Sequence, residues 1–197
     1  MVFKNNYFII FVYNTYMEKL SLKEHPEFKD KMSSLYLSAF PENERPPLDW
    51  FYNCLYGYKE NEVVCYFDNN YFIGFSYLTT YKDIVYITFL AVSSEHQNKG
   101  YGTKILSDIK KSNKGFTILL CFEEVDEKYP DYNQRLRRQH FYQRNGFIDN
   151  DLYTKEGPVV YQSAYYGSHK VNFKDYQNIF DLAYGKGASK RFLQHVK

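Results

Sequence analysis

Two glycines spaced one residue apart, Gly100 and Gly102 in Gln97-Asn98-Lys99-Gly100-Tyr101-Gly102, lie between a β-like run and a helix-like run. Glycine lacks the Cβ atom that keeps a ligand away from the backbone, and the first amides of a helix have no intrahelical acceptor. The helix dipole adds partial positive charge at that place and Lys99 adds a full one, so a pyrophosphate is a natural guest. Two familiar phosphate motifs fail on detail. A dinucleotide fingerprint needs a third glycine where this chain has Ile105, and it should follow the first strand of a fold rather than the fourth. A Walker-type loop needs Gly-Lys-Ser/Thr, which is absent. A plain tight turn would use the two glycines equally well.

The elements around the loop follow from hydrophobic periodicity. Met17 to Leu22 suits a short first strand, and Pro26 opens a helical segment to Phe40, with Phe28, Met32, Leu35, Tyr36 and Ala39 on one face. Pro41 stops it, and a proline-dense loop leads into a second short helix at Leu48 to Leu55. Strands at Glu62–Phe67, Tyr71–Thr80 and Asp83–Val92 read as an antiparallel meander. A helix from Gly100 to about Lys111 and a strand over Phe116–Phe122 complete a βαβ unit with a right-handed crossover. Another helix, Asn133 to Asn145, ends at Gly146, and strands near Phe147–Tyr153 and Val159–Tyr166 close the sheet. A capped helix from Asn172 has Phe173, Tyr176, Ile179, Phe180 and Leu182 available for packing.

With 197 residues the chain suits one buried core, and no linker or repeat divides it. A formal charge of +2 is too small to advertise nucleic acid or an anionic membrane. Cys54, Cys65 and Cys121 have no CxxC or Cys/His spacing, so neither a disulfide framework nor a metal site is expected, and reduced thiols suit a cytoplasmic protein. Tyr7 to Tyr13 is apolar but too short to span a bilayer and lacks a following cleavage site. Residues 1–16 therefore read as an N-terminal extension or added strand, 17–166 as the domain proper, and 167–197 as a helical tail packed on it.

Downstream of the glycine loop stands Phe141-Tyr142-Gln143-Arg144-Asn145-Gly146-Phe147. Gln97 to Gly102 matches Gln/Arg-x-x-Gly-x-Gly/Ala, and the later segment matches Phe-Tyr-x-x-x-Gly-Phe. Together the pair resembles the GCN5-related N-acetyltransferase (GNAT) family over about residues 17 to 166. The resemblance implies an α/β (α+β) fold with a mixed, mostly antiparallel sheet, helices on both faces, and a splayed central strand pair that holds acyl-CoA. It implies acetyl-CoA as co-substrate, with main-chain groups of Leu90, Ala91 and Val92 pairing with the pantetheine arm as an added strand. Gln97, Asn98, Lys99, Gly100, Tyr101, Gly102 and Thr103 would hold the pyrophosphate.

Moving an acetyl group from a thioester to an amine requires a neutral amine, a stabilised oxyanion and a protonated leaving thiolate. An alkylamine titrates near roughly 10.4, so a base or a water relay is needed. Glu123, at the end of the fifth strand, is the candidate base. Glu124, Asp126 and Glu127 follow it, however, so a solvated acidic strand end explains it as well. Tyr142 matches the family tyrosine whose hydroxyl faces the cofactor sulfur, against a background of 22 tyrosines that mostly pack. Phe141 and Phe147 belong to the core on this reading, and the amide of Leu90 or Val92 would polarise the thioester carbonyl.

One position departs from the pattern. Seven residues before Tyr142, where many relatives carry Asn, this chain has Arg135. Arg135, Arg137 and Arg138 could meet a phosphate or an acidic substrate, or form an exposed basic face.

The expected partner is a primary amine of a small molecule or peptide, with no nucleic acid or membrane, and a homodimer is compatible with this reading. Residues Phe40 to Leu55 and the terminal strands should build the acceptor side, with Glu44, Arg45 and Trp50 as contacts suited to a cationic amine. Two other functions fit parts of the sequence: a non-catalytic acyl-CoA-binding regulatory module, and a nucleotide enzyme using the same loop.

Overall fold

Eight strands form one sheet in the order β1-β2-β3-β4-β5-β7-β6-β8 in a computed structural model that describes residues 17–196. The expected extension at residues 1–16 lies outside the described residues. The strands are β1 (Glu18–Ser21), β2 (Asn61–Asp68), β3 (Tyr71–Tyr81), β4 (Ile84–Val92), β5 (Thr117–Glu123), β6 (Ile148–Glu156), β7 (Val159–Tyr166) and β8 (Leu193–His195). All neighbours are antiparallel except β4 and β5. That parallel pair requires a crossover, which helix α3 (Tyr101–Ser112) supplies.

Alternation along the strands sends side chains to two differently covered faces. On one face, α1 (Lys29–Ala39) and α2 (Leu48–Gly57) cover Val63, Cys65, Phe75, Tyr77 and Phe89, with Met32, Tyr36, Phe51 and Leu55 as the helical side of the contact. Helix α5 (Phe173–Tyr184) continues this layer over Ile84, Tyr86 and Leu119. On the opposite face, α3 buries Ile105, Leu106 and Ile109 against Val85, Ile87, Ile118 and Leu120. Helix α4 (Tyr132–Arg144) adds Phe141 and Tyr142 to that cluster.

The expected elements are present, with ends shifted by at most three residues. The first helical segment splits into a 3-10 turn at Pro26–Phe28 followed by α1. Two elements carry no periodic signal and were not expected: the five-residue α6 (Ala188–Phe192) and β8, which pairs with β6 through Glu156↔Leu193. β8 is short because only three residues remain in register with β6. It lies along the edge of β6 that would otherwise present unpaired backbone groups.

The C-terminal helix is tied to the front of the domain by polar anchors. Asn61, fully buried at the start of β2, donates through Nδ2 to the carbonyls of Cys54 at 3.0 Å and Leu182 at 2.8 Å. Trp50 Nε1 donates to Tyr184 O at 2.7 Å. These bonds satisfy carbonyls near the end of α5 and add a second donor to Cys54 O, which also accepts from the Tyr58 amide. Asn61→Ala should therefore destabilise the fold by about 1–3 kcal/mol, read as a lowered midpoint in chemical denaturation.

Candidate functional site

The parallel pairing of β4 and β5 covers only Ile84↔Thr117 to Ile87↔Leu120. Beyond Ile87 the two strands separate. Thr88 is the extra residue of a bulge, since Tyr77 pairs with Phe89 while Leu78 pairs with Ile87. A bulge bends its strand and increases the local twist, so the remainder of β4 turns away from β5. Leu90, Ala91 and Val92 keep their partners on β3, namely Ser76, Phe75 and Gly74. Their other edge faces the gap, where an extended ligand could pair as a strand.

The gap is the mouth of a cleft of about 510 Å³. Phe89 to Val92 and Leu120 to Glu123 form its strand walls, and Gln97 lies at one end. Next to that end, Gln97 Nε2 donates to Val92 O at 3.1 Å, which closes the turn leading to α3. The first α3 bond runs from Lys104 N to Gly100 O at 3.1 Å, which leaves the preceding amides without helical acceptors.

The two glycines of this loop serve different purposes. Gly100 has φ +82°, a left-handed backbone that strains other residues, and a Cβ there would meet open space. At Gly102 a Cβ would stand 3.0 Å from the Phe141 ring, so this glycine allows α3 and α4 to pack closely. Asn98, also left-handed, and Lys99 and Thr103 are exposed, whereas the Tyr101 hydroxyl donates to Asp68 at 2.7 Å. Of the loop residues, only Gln97 lines the cleft itself; the others form the adjoining turn.

Tyr142 lines the cleft from α4, packed on Phe122 with ring centroids 5.4 Å apart. Burial is the main reason its hydroxyl is pushed up to about 12, with Arg138 pulling the other way. It is therefore a phenol, not a phenolate, at neutral pH. Glu123, only 6% exposed, is ion-paired with Arg138 of α4. By alternation its side chain leaves β5 toward the α5 layer, so this pair reaches around the strand end to join the two faces.

Neither Arg135 nor Arg137 of α4 lines the cleft. Arg135 is engaged by Asp131 at 2.8 Å and the Glu124 carbonyl at 3.1 Å, and its guanidinium lies 3.9 Å from the centroid of Tyr129. Arg137 is exposed. Of the three residues expected on the acceptor side, Glu44 lines the cleft. Arg45 instead donates to Phe40 O at 2.9 Å, and Trp50 is engaged with Tyr184 and Phe192.

Sequence reasoning missed Glu156, Tyr161, Tyr184 and Cys121, all of which line the cleft. Register places Glu123 opposite Tyr161 and Tyr161 opposite Thr154, so Glu156, two residues further along β6, shares their face. Tyr161 donates to Glu44 at 3.3 Å, and Tyr176 of α5 donates to Glu156 Oε1 at 3.1 Å. Burial raises the Glu156 carboxyl from 4.5 to about 7, although the Tyr176 hydrogen bond opposes this. Glu44 is also raised, first by burial and then by the nearby Glu123. Burial pushes the Cys121 thiol up to about 12. No signal in the β6 sequence marks Glu156, because its environment comes from α5 and the turn before α2.

Chemically, the cleft offers an open strand edge and free amides at one end, a protonated phenol, Arg138 and Asp131 on the α4 side, and the carboxylates of Glu44, Glu123 and Glu156 on the other. No described cluster of His, Cys, Asp and Glu suits a metal ion, and no described helix is long and apolar enough to cross a membrane.

Residues 59–149 match the family model described as "Acetyltransferase (GNAT) domain". A Bacillus subtilis (strain 168) protein assigned as an acetyltransferase, YjbC, is 39% identical over 67 residues. That match covers 34% of this chain and 32% of the relative's length. Among solved structures, a GNAT-family protein of Bacteroides thetaiotaomicron, assigned as an acetyltransferase, superposes with TM-score 0.69 at 24% identity, covering 86% of this chain and 98% of that one. An aminoglycoside 6'-N-acetyltransferase complexed with coenzyme A gives TM-score 0.54 at 16% identity, covering 77% and 96%.

The raised Glu156 carboxyl has a consequence for stability. Its folded value lies above its unfolded one, so its contribution is complete below pH 4.5 and is lost as pH rises through about 7. Melting temperatures measured across that window should fall more steeply for the wild type than for Glu156→Gln.

Proposed function

Because the chain carries an acetyltransferase domain of the GNAT family, we propose that it transfers an acetyl group from acetyl-CoA to a primary amine. The observation that carries this reading is the β4–β5 gap, with an unpaired β4 edge on one wall and the glycine turn at its end. The free edge at Leu90 to Val92 fits the amide-bearing pantetheine arm, and the amides from Asn98 to Thr103 fit the pyrophosphate. Gln97, Lys99, Gly100, Tyr101 and Gly102 shape and charge that turn. The open space beside Gly100 supports a ligand on that side, whereas Gly102 serves helix packing.

Two residues act on the reacting atoms in this reading. Tyr142, a half-buried phenol on the cleft wall, gives its proton to the departing thiolate. An amide at Leu90 or Val92 donates to the thioester oxygen as charge builds there. Glu123 is the base expected from sequence, but its pairing with Arg138 makes it a wall that orients the acceptor. An amine entering between Glu44, Glu123 and Glu156 meets more carboxylates than cations, which favours a cationic small molecule or peptide amine. Residues 17–166 are the transferase domain in this proposal, with α5 and its flanking segments completing the acceptor wall. We further propose a cytoplasmic setting.

The regulatory-module alternative keeps the same cleft but predicts binding without turnover. Acetyl-CoA should raise the melting temperature in proportion to the logarithm of its concentration, more than ATP or NAD does. Thiol release in the presence of an amine panel should follow. Tyr142→Phe should lower kcat by roughly 100-fold or more while the acetyl-CoA dissociation constant stays near wild type. A Tyr142→Phe enzyme with unchanged kcat would remove its assigned role.

A further inference from the structure

Acetyl transfer to an ammonium needs a base or a water relay, and a carboxylate that sits in the cleft and can change its charge during turnover would serve. Glu44, Glu123 and Glu156 all reach the cleft. Glu123 is committed to the Arg138 guanidinium, and Glu44 accepts from the Tyr161 hydroxyl on a turn at the cleft mouth. Glu156, like Glu44, accepts from a neutral hydroxyl, but Arg138 and Arg135 act on Glu44 and no cation acts on Glu156. It lines the cleft from β6 and accepts a hydrogen bond from an uncharged hydroxyl, Tyr176 Oη.

Resting on the acetyltransferase reading, we propose that Glu156 takes the proton from the acceptor ammonium and that Tyr176 is its positioning residue. Tyr176 is fully buried and stands in a chain of polar contacts: the Cys121 thiol at 3.4 Å and the Tyr86 hydroxyl at 3.4 Å on one side, Glu156 on the other. The chain fixes where the carboxylate points without supplying a permanent counter-charge. The groups facing Glu156 are Glu44 from the turn before α2, Tyr86 from β4, Cys121 from β5, Tyr161 from β7, and Tyr176 and Tyr184 from α5. None of these is cationic; burial, opposed by the Tyr176 hydrogen bond and reinforced by Glu44, raises the carboxyl to about 7. A base poised at this value balances availability against proton affinity at neutral pH.

Position also favours it. Glu156 shares its sheet face with Glu123 and Tyr161, whereas Tyr142 approaches from α4 on the opposite face. Base and acid therefore flank the β4–β5 gap from opposite sides. The substrate ammonium gives one proton to Glu156 and becomes a neutral amine. The C–N bond forms as the C–S bond breaks, and the sulfur takes the Tyr142 proton. The nitrogen then loses its second proton to solvent, and solvent reprotonates Tyr142. Glu156 finally releases its proton, so one proton is liberated per turnover.

The test is the pH profile of kcat/KM, with an amine that the wild type acetylates. The wild type should show an acidic limb near pH 7. Glu156→Gln should lose roughly 100-fold or more and lose that limb. Glu123→Gln should keep it. Tyr176→Phe removes a hydrogen bond that favours the charged carboxylate, so the limb should move to higher pH, a shift that a purely structural role would not produce. Should Glu156→Gln fail to fold, the Tyr176→Phe profile decides alone. A Glu156→Gln enzyme with near wild-type rate and limb, or a Tyr176→Phe limb that does not move, overturns the proposal while leaving acetyl transfer intact. Binding of acetyl-CoA with no turnover by the wild type overturns the parent reading and this one with it.

Discussion

The fold depends on a pairing that stops early. β4 and β5 are the one parallel pair, and their ladder ends at Ile87 and Leu120 although both strands continue. A parallel pair buried between helix layers normally extends its ladder as far as its strands allow, since unpaired backbone groups are costly in a core. Here the bulge at Thr88 redirects β4, and β3 satisfies only one of its edges. The other edge is left for a ligand. The elements around it serve this arrangement: α3 and α4 close one face, and α1, α2 and α5 close the other.

This geometry separates the chemical groups by face. Strand alternation sends Phe122 toward α4 and Tyr142, and sends Cys121 and Glu123 toward α5. Acidic groups thus collect on one side of the gap and the phenol on the other. The Glu123–Arg138 pair is the exception that bridges both, and it holds α4 against the end of β5. Burial is the first cause for both groups, raising the Tyr142 hydroxyl to about 12 and the Glu156 carboxyl to about 7.

Most of the framework was legible because it depends on local pattern. Strands β2 to β5 alternate or run apolar, Gly100 and Gly146 mark helix boundaries, and Asn172 does cap α5 by accepting from the Asp175 amide. The glycine turn and Tyr142 were legible because they lie in short contiguous motifs. What stayed hidden depends on distant partners. Glu156 looks like any polar residue before a Gly-Pro turn until Tyr176 and the cleft surround it. β8 has three residues and forms only because β6 offers an edge. The packing of Gly102 against the Phe141 ring also depends on a distant partner. Arg45 and Trp50 have the residue types of a binding loop, yet backbone carbonyls claim both.

Cys121 sits in the wall of the same cleft, a thiol beside the place where a thioester would lie. Such a neighbour invites a relay in which the enzyme itself carries the acyl group between two half-reactions. Burial keeps that sulfur protonated through the neutral range, and a thiol is a poor nucleophile compared with its thiolate. The protein therefore lacks a competent carrier at this point. If the proposed transfer runs without such a carrier, donor and acceptor are present together, and the expected kinetics are those of a ternary complex, with intersecting rather than parallel double-reciprocal lines.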